Sequence, residues 1–291
     1  MLAILLLGII QGLTEFLPVS SSGHLALFGA LLGIGDRGLA VDVALHLGTL
    51  AAVIVVFRAE LVGMAAAMLG RRPDPVLRRL GWLIGLATVP IVIAGLLLRS
   101  TVEELSASPR AVSLFLLVTA GSMLLGELLR RRRTHLDRAP RAPTPAAVGG
   151  RPLLPATDDP SDPSGRALDR LDPRHALGVG LAQCLALFPG VSRSGVTIAA
   201  GIASGMTRTA ATRFSFLLSL PALVGAAALT LPDLAGQPDV DLTAVLVGVA
   251  ASFVAGYAAI RILLALVARV GLYVFVVYCT LLAAVGLIVT A

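Results

Sequence analysis

The sequence predicts an all-α integral membrane protein built from two inverted-topology repeats, each a broken re-entrant helical hairpin followed by three transmembrane helices. Three observations carry this reading. The chain is 57% hydrophobic and only 14% charged, with a mean hydropathy of +0.91, far from the balance of a soluble domain. Six apolar runs approach the roughly 20 residues needed to cross a bilayer. Two further apolar stretches are interrupted near the middle by related turn sequences, LPVSSSG and FPGVSRSG.

In chain order, residues 1–34 form the first broken hairpin, because Pro18, the serines and Gly23 interrupt an otherwise apolar stretch. Its start lacks a basic region and carries Glu15 where a signal peptide would approach its cleavage site, so the segment is expected to be retained. Spans follow at about 39–57, 80–98 and 111–129. Residues 131–174 are rich in Pro, Asp and Arg, lack apolar periodicity, and read as a polar cytoplasmic linker. Residues 175–206 form the second broken hairpin, and spans at about 209–231, 241–260 and 270–290 complete the chain. The expected division is a first repeat over 1–130, the linker, and a second repeat over 175–291. Unpaired amides in hydrocarbon cost several kcal/mol each, so a break at membrane depth must be buried in protein or line a wet cavity. Two such breaks imply one polar cavity.

The halves are related in sequence. Laying QGLTEFLPVSSSG (11–23) over QCLALFPGVSRSG (183–195) gives seven identities in thirteen positions, where chance gives roughly one. Three spans is an odd number, so the second half enters the membrane from the opposite face, which makes the repeat inverted. Loop charges agree. Arg58, Arg71, Arg72, Arg78 and Arg79 lie in one loop, Arg130 to Arg133 open the linker, and Arg261 and Arg269 lie near the last turn. Alternating spans put all three groups on one side, the cytoplasmic side by the positive-inside rule, with both termini outside. The net charge of +6 is then a matter of topology and does not point to nucleic acid. Cys184 and Cys279 each sit in an apolar run without a second cysteine or histidine nearby, and read as small core residues.

Glu15 lies in an apolar helix, where an ionisable group costs at least ~2.5–3.5 kcal/mol, so it needs a partner such as Arg193 or a chemical task. The segment Ser20-Ser21-Ser22-Gly23-His24 offers hydroxyl nucleophiles, free amides at a helix start that favour anions, and an imidazole able to act as base or acid. Serines that cap a helix beside a core histidine would look the same. In the second break, Arg193 stands between Ser192 and Ser194, with Thr197 one helical turn on, and a guanidinium among hydroxyls suits a phosphate. The repeat overlays Ser21 on Arg193 and Glu15 on Leu187, so one half holds nucleophile and acid while the other holds the cation. His46 and Thr49 are further polar residues that would line the cavity, whereas Glu103 and Glu104 read as solvated loop charges. The Arg130 to Arg133 run reads as topogenic, with anionic lipid headgroups the other reading.

With these residues in view, the sequence resembles the bacitracin-resistance family of undecaprenyl-diphosphate phosphatases. The resemblance rests on QGLTEFLPVSSSGH (11–24), ALHLGTLAAVIVVFR (44–58) and LAQCLALFPGVSRSGVTIAAG (181–201). It implies hydrolysis of undecaprenyl diphosphate to the monophosphate and phosphate on the outer face of a bacterial inner membrane, with a divalent cation, Mg2+ or Ca2+. Its acidic motif falls on Gln11 and Glu15, its Ser and His on Ser20, Ser21 and His24, and its phosphate-binding residues on Arg193 with Ser192, Ser194 and Thr197. Many members carry Glu where this chain has Gln11, which would remove one negative charge from the metal site. On this reading Ser21 attacks the terminal phosphorus with His24 handling its proton, or the two exchange roles, and Ser20, Ser22 and the Arg193 cluster hold phosphate oxygens. The alternative function for such repeats is a lipid-phosphate flippase or anion transporter. Runs of small residues permit a homodimer without identifying its interface.

Overall fold

A computed structural model of the chain describes residues 1–31, 39–106, 108–136, 165–235 and 241–290. These residues are helical, with no strand among them. Helices α1 (Leu2–Phe16) and α2 (Ser21–Leu31) make the first hairpin. They are followed by α3 (Leu39–Val56), α4 (Arg58–Met68), α5 (Pro75–Leu97), α6 (Arg99–Ser106) and α7 (Pro109–Leu136). A 3-10 turn at Leu168–Arg170 precedes α8 (Pro173–Gln183), which ends in a second 3-10 turn, Cys184–Leu187. Then come α9 (Arg193–Ala203), α10 (Arg208–Ala235), α11 (Leu242–Val270) and α12 (Tyr273–Val289).

Helices α5, α7, α10 and α11 are long and apolar enough to cross a membrane, and α3 with α4 forms a fifth candidate span bent by 75°. At 17 residues α12 is shorter, about 25 Å at 1.5 Å per residue. Its outer face and that of α5 are apolar and bare, with Leu97 76% and Val289 77% exposed, as lipid-facing surfaces require.

Four sequence expectations change here. The loop expected after residue 57 holds α4, whose Glu60 is buried against Arg213 of α10. Mixed charge in RAELVGMAAAM hid that helix. The linker expected from residue 131 begins later, because α7 runs on to Leu136; residues 137–164 of it lie outside the described residues. The arginines at its start are engaged with protein: Arg130 Nε donates to Glu127 at 3.1 Å, Arg131 sits over the Tyr273 ring, and Arg133 donates to the Ile202 carbonyl at 3.2 Å. Finally, Arg261 lies inside α11, which continues to Val270. Glu104 is exposed, but on α6 rather than in a loop.

The helices interleave across the two halves. α1 packs chiefly on α11 and α8 on α5, while α3 lies against α10 and α11, and α7 against α9 and α12. Small residues set the closest approaches. A Cβ on Gly8 would fall 2.2 Å from the Gly248 carbonyl oxygen, and one on Gly180 would fall 2.3 Å from that of Ala87. Such contacts let helices associate in lipid, where apolar burial gives no drive of its own. Near the chain's basic end, Glu127 is fully buried on α7 and accepts from Arg208 Nε at 2.8 Å, Arg208 Nη2 at 2.7 Å and the Leu272 amide at 3.1 Å. This network ties α7 to the start of α10 and to the turn between α11 and α12.

Candidate active site

The two chain breaks are built alike. Leu17 precedes Pro18 and is extended, because proline disfavours the helical conformation of the residue before it. Ser20 Oγ then accepts from the Gly23 amide at 3.2 Å and starts α2. In the second half Phe188 is extended before Pro189, and Ser192 Oγ accepts from the Gly195 amide at 3.1 Å to start α9. Each serine side chain caps its helix by accepting from the amide three residues on. The breaks differ in where they bend most sharply. Gly190 has φ 95° and passes so close to α7 that a Cβ would lie 2.2 Å from the Val112 carbonyl oxygen, whereas in the first half Ser20 itself is left-handed, at φ 69°.

The hairpins meet each other. Ser194 Oγ donates to the Leu17 carbonyl at 3.2 Å, and the Gly190 amide donates to Ser22 Oγ at 3.3 Å. Between them, Arg193 Nη2 is in short contact with Glu15 Oε1, and its Nη1 donates to the Ser219 carbonyl at 3.2 Å. The other carboxylate oxygen of Glu15 accepts from Ser21 Oγ at 2.7 Å and from Gln11 Nε2 at 3.0 Å, with His46 Nε2 3.5 Å away. A carboxylate, a serine hydroxyl, a guanidinium and an imidazole from α1, α2, α9 and α3 thus converge on one point. Glu15 is almost fully buried; Ser21, Arg193 and His46 are partly exposed and Ser22 is exposed.

The remaining predicted residues divide differently. Ser20, Ser192, Ser194 and Thr197 are buried, and their hydroxyls are engaged inside the hairpins. Thr197 donates to the Arg193 carbonyl at 2.7 Å and shares a 2.6 Å hydrogen bond with Ser215 of α10. They shape the turns that present Ser21 and Arg193. His24 is not on the Ser21 hydroxyl, which donates to Glu15 instead. The histidine ring is buried, with Nδ1 2.8 Å from the Ser20 carbonyl and Nε2 2.6 Å from the Tyr278 hydroxyl. In this arrangement the hydrogen-bond partner of Ser21 Oγ is Glu15 and not His24. Cys279 is buried with its thiol 3.5 Å from the Pro18 carbonyl, and Cys184 is partly buried; both are free thiols.

Sequence reasoning gave little weight to His46 and missed Thr119, whose hydroxyl accepts from the Ser192 amide at 2.8 Å and steadies the second break. Thr49 is buried, its hydroxyl donating to the His46 carbonyl at 2.8 Å. Among the described residues no three His, Cys, Asp or Glu side chains gather into a ready-made metal cage. Gln11 Oε1, however, is buried beside Glu15 without a hydrogen-bond partner, and is a hard oxygen donor of the kind Mg2+ and Ca2+ accept.

Comparison with known proteins agrees with the motifs. The chain is 42% identical to undecaprenyl-diphosphatase 2 of Stutzerimonas stutzeri (strain A1501), over 99% of this chain and 97% of that one. It is 42% identical to the undecaprenyl-diphosphatase of Geobacter sulfurreducens, over 94% and 91% of the two chains. For the undecaprenyl-diphosphatase of Alteromonas mediterranea the figures are 40%, 97% and 96%. The sequence profile described as bacitracin resistance protein BacA matches residues 4–285, so the chain belongs to the bacitracin resistance protein BacA family.

Proposed function

We propose that this protein is a membrane-embedded hydrolase that converts undecaprenyl diphosphate to undecaprenyl phosphate and inorganic phosphate, recycling a cell-wall lipid carrier. The observation that carries the reading is the contact of Ser21, Glu15 and Arg193 at the meeting of the two hairpins. The names of relatives at about 40% identity support the substrate.

The resting contacts suggest how the residues work. Glu15 holds Arg193. A diphosphate is the stronger partner for a guanidinium, offering two oxygens to its fork, so its arrival frees one side of the Glu15 carboxylate. Arg193, the Ser22 hydroxyl and the amides at the start of α2 then face the charge that spreads over the terminal phosphoryl oxygens. Ser21 Oγ attacks the terminal phosphorus as Glu15 accepts its proton at Oε2. The bond from phosphorus to the bridging oxygen breaks, and the electron pair leaves with undecaprenyl phosphate. Water then attacks the phosphorus of the phosphoserine; as the bond to Ser21 Oγ breaks, Glu15 returns its proton to that oxygen, and both hydrogens of the water leave on the released phosphate.

Mg2+ or Ca2+ fits the donors present: Gln11 and Glu15 would hold it, with the diphosphate supplying further oxygens. When bound it supplies positive charge for the phosphoryl oxygens beyond that of one arginine.

The finer architecture belongs to the same proposal. The reciprocal packing of α1 on α11 and α8 on α5, and the matched serine caps, support two inverted repeats. The basic loops support an inner-membrane orientation with linker and arginines inside and the site open outward. A homodimer is compatible with small residues on lipid-facing helices. The test is phosphate release from a polyprenyl diphosphate by purified protein with Mg2+. Turnover that Ser21→Ala and Arg193→Ala abolish in folded protein supports the reading. No release with any divalent cation overturns it in favour of a flippase or anion transporter.

A further inference from the structure

We propose that Tyr278 is a positioning residue for this reaction, acting through His24 to hold the turn that presents Ser21. The inference rests on the phosphatase reading above and deepens it.

A backbone carbonyl only accepts, so the 2.8 Å contact between His24 Nδ1 and the Ser20 carbonyl places a proton on Nδ1. In the neutral ring Nε2 then carries a lone pair, and the Tyr278 hydroxyl at 2.6 Å donates to it. The ring is buried, with its plane nearly parallel to those of Phe28 and Tyr278, at interplanar angles of 8° and 4°. Both nitrogens and the plane of His24 are therefore fixed, one nitrogen by its own turn and the other by α12.

That turn needs holding. Ser20 has φ 69°, a left-handed conformation that is strained for a residue with a Cβ. Its carbonyl receives the His24 amide at 3.2 Å as well as the ring nitrogen, so His24 fastens the strained residue twice. The next residue is Ser21. A second α12 group acts on the same break, since Cys279 Sγ donates to the Pro18 carbonyl at 3.5 Å. α12 thus grips the break on both sides of Ser20. Removing the Tyr278 hydroxyl leaves Nε2 of a buried ring without its donor, frees the ring to turn, and loosens the Ser20 carbonyl and the Ser21 hydroxyl set against Glu15.

The test compares Tyr278→Phe, His24→Ala and the double variant in phosphate release, with 15N spectra of the histidines. Tyr278→Phe keeps the ring and, at an exposed site, is not expected to unfold the protein. Its expected effect is a fall in kcat of about ten- to a hundred-fold with little change in KM, the size a small misplacement of a reacting group produces. In the His24→Ala background the same substitution is expected to add nothing. The spectra are expected to show His24 protonated at Nδ1, and its Nε2 signal to move in Tyr278→Phe; His24→Ala identifies that signal among the chain's four histidines. Unchanged kcat in Tyr278→Phe, an equal loss in both backgrounds, or His24 protonated at Nε2 overturns the proposal while the phosphatase reading stands. Absence of phosphate release from the unmodified protein overturns both.

Discussion

Arg193→Lys separates the charge of Arg193 from its shape. The guanidinium reaches in two directions, with Nη2 on Glu15 and Nη1 on the Ser219 carbonyl. Lysine keeps the positive charge but is a point donor that cannot offer the same fork to two phosphate oxygens. The loss is one charge-assisted hydrogen bond, about 1.5–3 kcal/mol. At 1.36 kcal/mol per tenfold, kcat/KM should fall by about 10- to 150-fold. Arg193→Ala removes the charge as well, with both of the charge-assisted hydrogen bonds the fork offers a diphosphate, about 3–6 kcal/mol at about 1.5–3 kcal/mol each, so its fall should reach hundreds- to ten-thousands-fold. Phosphate release over a range of polyprenyl diphosphate concentrations, with circular dichroism to check folding, measures both. A lysine variant within threefold of the unmodified protein would refute a bidentate role, and one as poor as alanine would refute any separate contribution of charge.

Replacing the acid that faces Ser21 should act on chemistry: Glu15→Gln should lower kcat by about a thousand-fold or more, checked by single-turnover phosphate release. His46→Ala removes a partly exposed partner of Glu15 and should cost no more than about 1 kcal/mol, roughly fivefold in kcat/KM by the same assay. Glu127→Gln disrupts a buried network away from the candidate site, so about 3–5 kcal/mol of stability should be lost, seen as a lower melting temperature in detergent with activity kept when cold. Gly8→Ala should destabilise by at least about 1–3 kcal/mol through its clash with the Gly248 backbone. Gly85→Ala, with nothing within 4 Å of the new Cβ, should be neutral or stabilising in the same melting experiment.

Much of this was legible in the sequence because lipid restricts what a chain can do. Long apolar runs had to be helices, and LPVS and FPGVS had to be breaks. What stayed hidden was local charge that tertiary partners neutralise. RAELVGMAAAM reads as a loop until Arg213 is placed beside Glu60. Arg130 to Arg133 reads as a topogenic cluster alone until Glu127, Tyr273 and the Ile202 carbonyl are brought to it. Glu127 itself could have been found, since the rule that singled out Glu15 in an apolar helix applies equally to it. The position of His24 could not: its spacing from Ser21 puts both on one helical face, and the hydroxyl that draws the ring aside belongs to Tyr278, far along the chain.

The packing of α1 on α11 has a consequence for how the protein is made. α1 finds its main partner only after the more than 200 residues between them have been synthesised, tens of seconds later at about 5–20 residues per second. Glu15 must wait in or beside the bilayer for much of that interval before Arg193 exists to meet it. Neither half, made alone, could cover its own first helix. Insertion therefore has to keep the early segments loosely held, in the translocation machinery or at the membrane interface, until the late ones arrive to close over them.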